Sequence, residues 1–308
     1  MDPRHLVQLA VILEQGSISQ ASHHLHLTQP TLTHNMQTLE MQAGGKLFER
    51  SRFGVRSTPL GDMLAREGRA IGRRLKDAIA VTARHQGGVR GNLRLGTGPL
   101  VGAACIPSMS QKVLSDYPNI HLLVQSDRPH LLVDQLVDGR HDMVIAPSWL
   151  DHPPSGVERF LFVKDDLGVF CGKRHPMAKK GVWEIAKSNP IRWLSLSTAS
   201  PFDQHVREML KAVGVLSPNI EVTIQGDVFS MLSILEQGKH LAVLPRFPLS
   251  VLIHQFSLTE LTMPFTTPSR DIYLWCRSNV LEDSTTVAIK DLLLAQATHL
   301  APSQECPQ

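Results

Sequence analysis

Cysteine is scarce. The 308 residues hold four, Cys105, Cys171, Cys276 and Cys306, far apart and without a C-x-x-C pair. That spacing excludes a disulfide scaffold and a zinc ribbon and fits reduced cytoplasmic thiols. No run approaches the ~20 apolar residues of a transmembrane helix. Met1-Asp2-Pro3-Arg4-His5 lacks the basic-then-apolar order of a secretory signal, so a cytoplasmic protein with no membrane partner is expected. Signatures of catalysis are missing too. Ser195 and Ser197 lack a G-x-S-x-G elbow, which leaves nucleophilic hydrolysis unsupported. Gly96-Thr97-Gly98 lacks the third glycine of a dinucleotide fingerprint. Among 15 histidines, His23, His24 and His26 are too close to share one helix face and have no cysteine nearby. The expectation is no enzyme, no cofactor and no metal. The four tryptophans, Trp149, Trp183, Trp193 and Trp275, read as packing residues.

A hydrophobic fraction of 42% with 19% charged residues supports a real core, and the length allows about two domains. Charge is distributed unevenly. Residues 1–90 hold 12 Lys+Arg against 7 Asp+Glu, a net +5, while the remainder holds 19 against 21, a net −2. A basic head on a slightly acidic body suggests that the head meets a polyanion, either nucleic acid or a membrane surface.

The head reads as helices. Asp2-Pro3 caps a helix carrying Leu6, Leu9, Ala10 and Leu13, which Gly16 stops. Ser17-Ile18-Ser19-Gln20 opens a short helix, and Thr28 caps a third with Pro30 in its first turn and a Leu32, Met36, Leu39 stripe. Two short helices joined by a tight turn, with small Ala21 at the crossing, fit a helix-turn-helix. Thr28, Gln29, Pro30, Thr31, Thr33 and His34 then form the leading face of a recognition helix; Gln bonds adenine bidentately, and Thr bonds phosphate or packs on a thymine methyl. Residues 28–40 contain no Lys or Arg, so Lys46 and the ribbon arginines Arg50, Arg52 and Arg56 must neutralise the phosphates. From Pro59 to about Gln86 runs a helix of roughly 40 Å at 1.5 Å per residue. Its apolar stripe has no partner of that length within the head, which suggests pairing with a second copy. Gly87-Gly88 and Gly91 mark a boundary.

Beyond Gly91, strands alternate with helices in two series, which predicts two subdomains with mostly parallel sheets. A break is expected near Pro107. Ligands of such sheets sit past the strand ends against helix N-termini, which picks out Thr97, Gly98, Pro99, Leu100, Ser126, Pro147, Ser197 and Thr198. Their hydroxyls and N–H groups suit a carboxylate, sulfonate or other anion, with Phe202 and Phe229 covering an apolar portion.

The ordered set Leu9, Glu14-Gln15-Gly16-Ser17, Ala21, Leu25-His26-Leu27-Thr28-Gln29-Pro30, Leu32-Thr33, Leu39-Glu40, Leu47-Phe48-Glu49-Arg50 and Thr58-Pro59-Leu60-Gly61 resembles the LysR-type transcriptional regulators. Gly91-Asn92-Leu93-Arg94-Leu95-Gly96, His175-Pro176-Met177-Ala178 and Leu241-Ala242-Val243-Leu244-Pro245 extend the likeness along nearly the whole chain. The resemblance implies an α/β protein with a winged helix-turn-helix (1–58), a linker dimerisation helix (59–87) and an effector domain (88–308) like periplasmic binding proteins. Subdomain 1 is expected at about 91–162 and 268–302, subdomain 2 at about 163–267. It implies double-stranded DNA as partner, an effector between the subdomains and a dimer of dimers; RNA polymerase is a further expected partner. The family usually has Arg or Lys where His34 stands, so DNA affinity is expected to weaken between about pH 6 and 8. The alternative is a small-molecule binding protein or enzyme whose head only dimerises. Salt-dependent binding to a promoter-sized duplex separates the two.

Overall fold

The Arg4 N–H donates to the Asp2 carboxylate and Pro3 takes the first turn, so helix α1 starts cleanly and runs Pro3–Gln15. Gly16 ends it at φ 65°. Ser17 caps α2 (Ile18–His24) and Thr28 caps α3 (Gln29–Ala43), with His26 at φ 53° in the turn between them. Strands β1 (Phe48–Ser51) and β2 (Gly54–Ser57) pair antiparallel, and α4 follows over Pro59–His85. The computed structural model describes residues 1–51, 54–85, 91–148, 150–183, 191–197, 200–212, 214–263, 267 and 269–300, with only the backbone of 76, 77 and 79–85. Arg52, Thr198, Trp149 and the Gly87-Gly88 boundary lie outside these residues.

The chain divides into two units, Met1–Gly91 and Asn92–Gln308. In the first, Leu6, Leu9 and Ile12 of α1 meet Leu32, Met36 and Leu39 of α3 around Leu47, Phe48 and Ala65. Part of α4 finds a partner within the head. The first half of α4 packs across α1, so closely that a Cβ on Gly68 would lie 2.0 Å from the Leu6 carbonyl oxygen. Farther along, Leu75 is 64% exposed.

The second unit holds two five-stranded sheets. β3 (Gly91–Thr97), α5 (Pro99–Asp116), β4 (Ile120–Ser126), α6 (Pro129–Val137), β5 (Met143–Pro147) and β6 (Val157–Val163) build the first. The chain then crosses over. β7 (Leu167–Gly172), β8 (Arg192–Ser195), α7 (Pro201–Ala212), β9 (Asn219–Thr223), α8 (Val228–Glu236), β10 (Leu241–Pro245), α9 (Arg246–Leu252) and β11 (Leu258–Leu261) build the second. The chain returns as β12 (Ile272–Arg277) and ends in α10 (Ser284–Leu300). Strand orders are β4-β3-β5-β12-β6 and β11-β7-β10-β8-β9.

The sheets are mixed rather than mostly parallel. β12 runs antiparallel to β5 and β6, and β7 antiparallel to β10 and β11. The crossovers explain it. Both β7 and β12 begin at the crossing, where β10 and β5 finish: Leu167 lies opposite Pro245, and Ile272 opposite Pro147. A strand entering at that end must run back against its neighbour. Pro107 does not break α5. Its ring is exposed on the helix surface, where it displaces no buried neighbour.

Candidate DNA-binding and effector sites

On the first unit, Thr28, Gln29, Pro30, Thr31 and His34 are exposed at the start of α3, and Thr33 is half-buried. The Thr28 and Thr31 hydroxyls bond each other at 2.7 Å, and the Thr31 N–H donates to Thr28 Oγ1. Asn35 donates to Gln8 Oε1 at 3.0 Å and ties α3 to α1. The ribbon is fixed just as firmly: the Val55 N–H donates to the Gly16 carbonyl at 2.8 Å. Only glycine fits at 54, where φ is 120° and a Cβ would stand 2.6 Å from Gly16 O. Arg50 and Arg56 project exposed from the paired strands, Arg50 lying 5.8 Å from the Phe48 ring centre. Lys46 pairs with Glu40 at 3.2 Å but stays exposed, and a surface pair this weak leaves it open to phosphate.

On the second unit, a cavity of about 490 Å³ opens at the crossovers, between the strand ends of the two sheets. Gly98, Pro99, Leu100, Ser126, Pro147, Ser197 and Phe202 line it, as the loop positions predict. Thr97 and Phe229 do not. Thr97 is fully buried with its hydroxyl donating to the Gly98 carbonyl, because strand alternation turns it under the first turn of α5. Phe229 is 72% exposed and packs edge-on against Phe256, because the phase of α8 carries it outward.

Asp127, beside Ser126, lines it too, and residues the loop reasoning did not select complete the wall: Arg128, His130, Gln225, Pro245 and above all Arg270. Arg270 sits on the returning crossover, half-buried, with its guanidinium carbon 5.1 Å from the Phe202 ring centre. Burial pushes its pKa down to about 10. Asp127 is already committed: Oδ1 accepts the Arg128 N–H at 2.7 Å and Oδ2 accepts Gln135 Nε2 at 2.6 Å. Asp227 likewise caps α8 through the Ser230 N–H. The α5 and α6 starts that reach this wall have no side-chain cap, so their leading N–H groups stay available to an anion. The walls therefore combine apolar surface with one half-buried cation and two uncapped helix starts.

Residues 3–62 match the bacterial regulatory helix-turn-helix proteins of the lysR family, and residues 86–298 match the LysR substrate binding domain. The chain belongs to the LysR family. It is a LysR-type transcriptional regulator, with a DNA-binding helix-turn-helix and an effector-binding domain, and not an enzyme. That match closes the alternative of a head that only dimerises. The LysR relatives include the nitrogen assimilation regulatory protein nac of Escherichia coli strain K12, 25% identical over 302 residues, 96% of this chain and 95% of that one. The ArgP structure from Mycobacterium tuberculosis matches with a TM-score of 0.70 and 16% identity, over 99% of this chain and 100% of that one. Full-length LysG from Corynebacterium glutamicum with bound effector Arg gives 0.66 and 16%, over 98% and 100%. At such identities the two structures show a shared fold. Among the described residues, no helix of this LysR-type regulator is long and apolar enough to cross a membrane.

Proposed function

We propose that this regulator senses a small organic anion in the crossover cavity and adjusts promoter binding or bending in response. The observation that carries the reading is Arg270: a half-buried guanidinium with no hydrogen-bonding side chain among the described residues, facing the uncapped starts of α5 and α6. A carboxylate held by these groups of the first half would present its apolar body to Leu100 and Ile145 of that half and to Phe202 and Pro245 of the other, drawing the two together. The differential contact needed to shift a two-state equilibrium is thus supplied by groups on both sides of the cleft.

On the DNA side, Thr28, Gln29, Thr31, Thr33 and His34 would read the major groove, with Pro30 shaping the helix start and Arg50, Arg52 and Arg56 on the phosphates. The division that fits these roles is 1–58 for DNA, 59–87 for dimerisation and 88–308 for sensing. Within the last, about 91–162 with 268–302 forms one half of the cleft and about 163–267 the other. Leu75, exposed on α4, favours a paired head, and two pairs would make the dimer of dimers. RNA polymerase would be the downstream partner, in the cytoplasm.

The test is a thermal-shift screen of aromatic and aliphatic acids on the wild-type chain and Arg270→Gln. A saturating acid at ~100 times its dissociation constant adds about 2.7 kcal/mol. The wild type should shift and Arg270→Gln should not. Equal shifts in both proteins would refute the assigned site.

A further inference from the structure

Behind Arg270 lies a carboxyl that no function described so far uses. Asp165, in the segment crossing from β6 to β7, is 6% exposed. Its Oδ1 accepts the Phe247 N–H at 2.8 Å, while Oδ2 is buried without a hydrogen-bond partner among the described residues. The returning crossover is stitched to the same residue, the Arg270 N–H donating to the Asp165 carbonyl at 2.6 Å. The backbone bond anchors the two residues to each other, and the Asp165 carboxyl lies near enough to feel the guanidinium charge without forming an ion pair with it.

The remaining charges nearby answer one another. Asp166 in the same segment and Glu260 on β11 both bind Arg246 of α9, and Thr267 donates to Asp166. Lys164 is exposed to water. Of the cavity-wall acids, Asp127 and Asp227 are held below the usual carboxylate range by their hydrogen bonds, Asp127 against the opposing effect of burial. His130 and Arg128, which is exposed to water, are the other titratable side chains of that wall. Arg270 is therefore the charge that Asp165 is left to balance.

We propose that Asp165 is a specificity-determining residue of the effector cavity, taking up a proton from solvent when an anion engages Arg270, so that the site binds anion and proton together. This rests on the anion reading of the cavity. With Asp165 ionised, Arg270 is partly neutralised and an incoming anion meets a like charge behind it. With Asp165 protonated, Oδ2 gains an O–H donor, the repulsion is gone and the guanidinium belongs to the ligand. No covalent bond changes; the proton comes from bulk buffer. Burial places the Asp165 pKa at about 6, so the exchange falls within reach of neutral pH. An anion beside Arg270 raises it further.

The experiment is isothermal titration of the full chain with phenylacetate, a monocarboxylate already ionised at the pH values used, at pH 6.5 in buffers of different ionisation enthalpy and at pH 5.5 and 7.5. If the anion raises the carboxyl by about one unit, uptake is about half a proton at pH 6.5 and affinity rises about sixfold from pH 7.5 to 5.5. His130→Gln, whatever its own affinity for the anion, should keep the proton uptake and the pH trend. Asp165→Asn, which preserves the Oδ1 acceptor and the side-chain volume, should lose them while still binding. Wild-type heats that do not depend on buffer, unchanged uptake in Asp165→Asn, or loss of uptake in His130→Gln each overturns the proposal. If phenylacetate gives no heat, or binds equally to Arg270→Gln, the anion reading itself fails. Should Asp165→Asn not fold, the wild-type and His130→Gln titrations still decide.

Discussion

At the scale of single residues, Asp165 also sets a pH dependence of stability. Its folded pKa, raised by burial from 3.8 to about 6, lies above the unfolded value. Its contribution is therefore fully present below about pH 4 and is lost as pH rises through 6, a difference of about 3 kcal/mol. Asp165→Asn should gain in melting temperature relative to wild type between pH 4.5 and 7.5; a constant gap would contradict this. Arg270 shows why part of the site was illegible in sequence. It follows no glycine-rich turn and opens no helix, so the rule that finds ligands at strand ends passes over it. It reaches the cavity only because the return crossover runs there. Thr97 and Phe229 err the other way: each adjoins the right turn, but side-chain direction within β3 and α8 sends one inward and the other out to solvent.

Among elements, the α1–α4 crossing carries the head. Helices rarely approach so closely that a Cβ would overlap a backbone carbonyl, and here glycine at 68 is the condition for it. Gly68→Ala should destabilise the full chain by about 3 kcal/mol, since backbone must shift to relieve the clash. Gly72→Ala is the control: its Cβ would lie 3.5 Å from Val7 Cγ1, an ordinary contact, and alanine favours the helix by up to ~1 kcal/mol. Urea unfolding of both variants checks the pair; equal stabilities would remove the crossing as the cause. The helices of the head were readable because caps and stops are local. Asp2, Ser17 and Thr28 start helices, and Gly16 and Gly44 end them, as their chemistry requires. Three elements escaped such signals. β6 and β11 are edge strands whose pairing is supplied by β12 and β7, and α9 is seven residues with Pro248 in its first turn.

Over the whole molecule, the two sheets are not independent. One apolar cluster joins Leu95, Cys105, Ile145 and Cys276 of the first half to Leu194, Leu235, Ala242 and Phe247 of the second. Cys171 belongs to a neighbouring cluster behind β7 and β10. Burial pushes the three thiols to about 12, 11 and 12 for Cys105, Cys171 and Cys276, so none offers a thiolate near neutrality. In a urea series with a thiol reagent at pH 8, all three should become reactive in one transition. Reaction of Cys171 well before the other two would show that the halves unfold separately.

The sequence alone determined the helix boundaries of the head, the alternation of strands and helices, the charge split and the family, because each depends on neighbours a few residues apart. Tertiary structure decided the mixed strand directions, the half of α4 covered by α1, and the meeting of Arg270 with Asp165 at the cleft. Those follow from where the chain crosses between sheets, a long-range closure that no local pattern encodes.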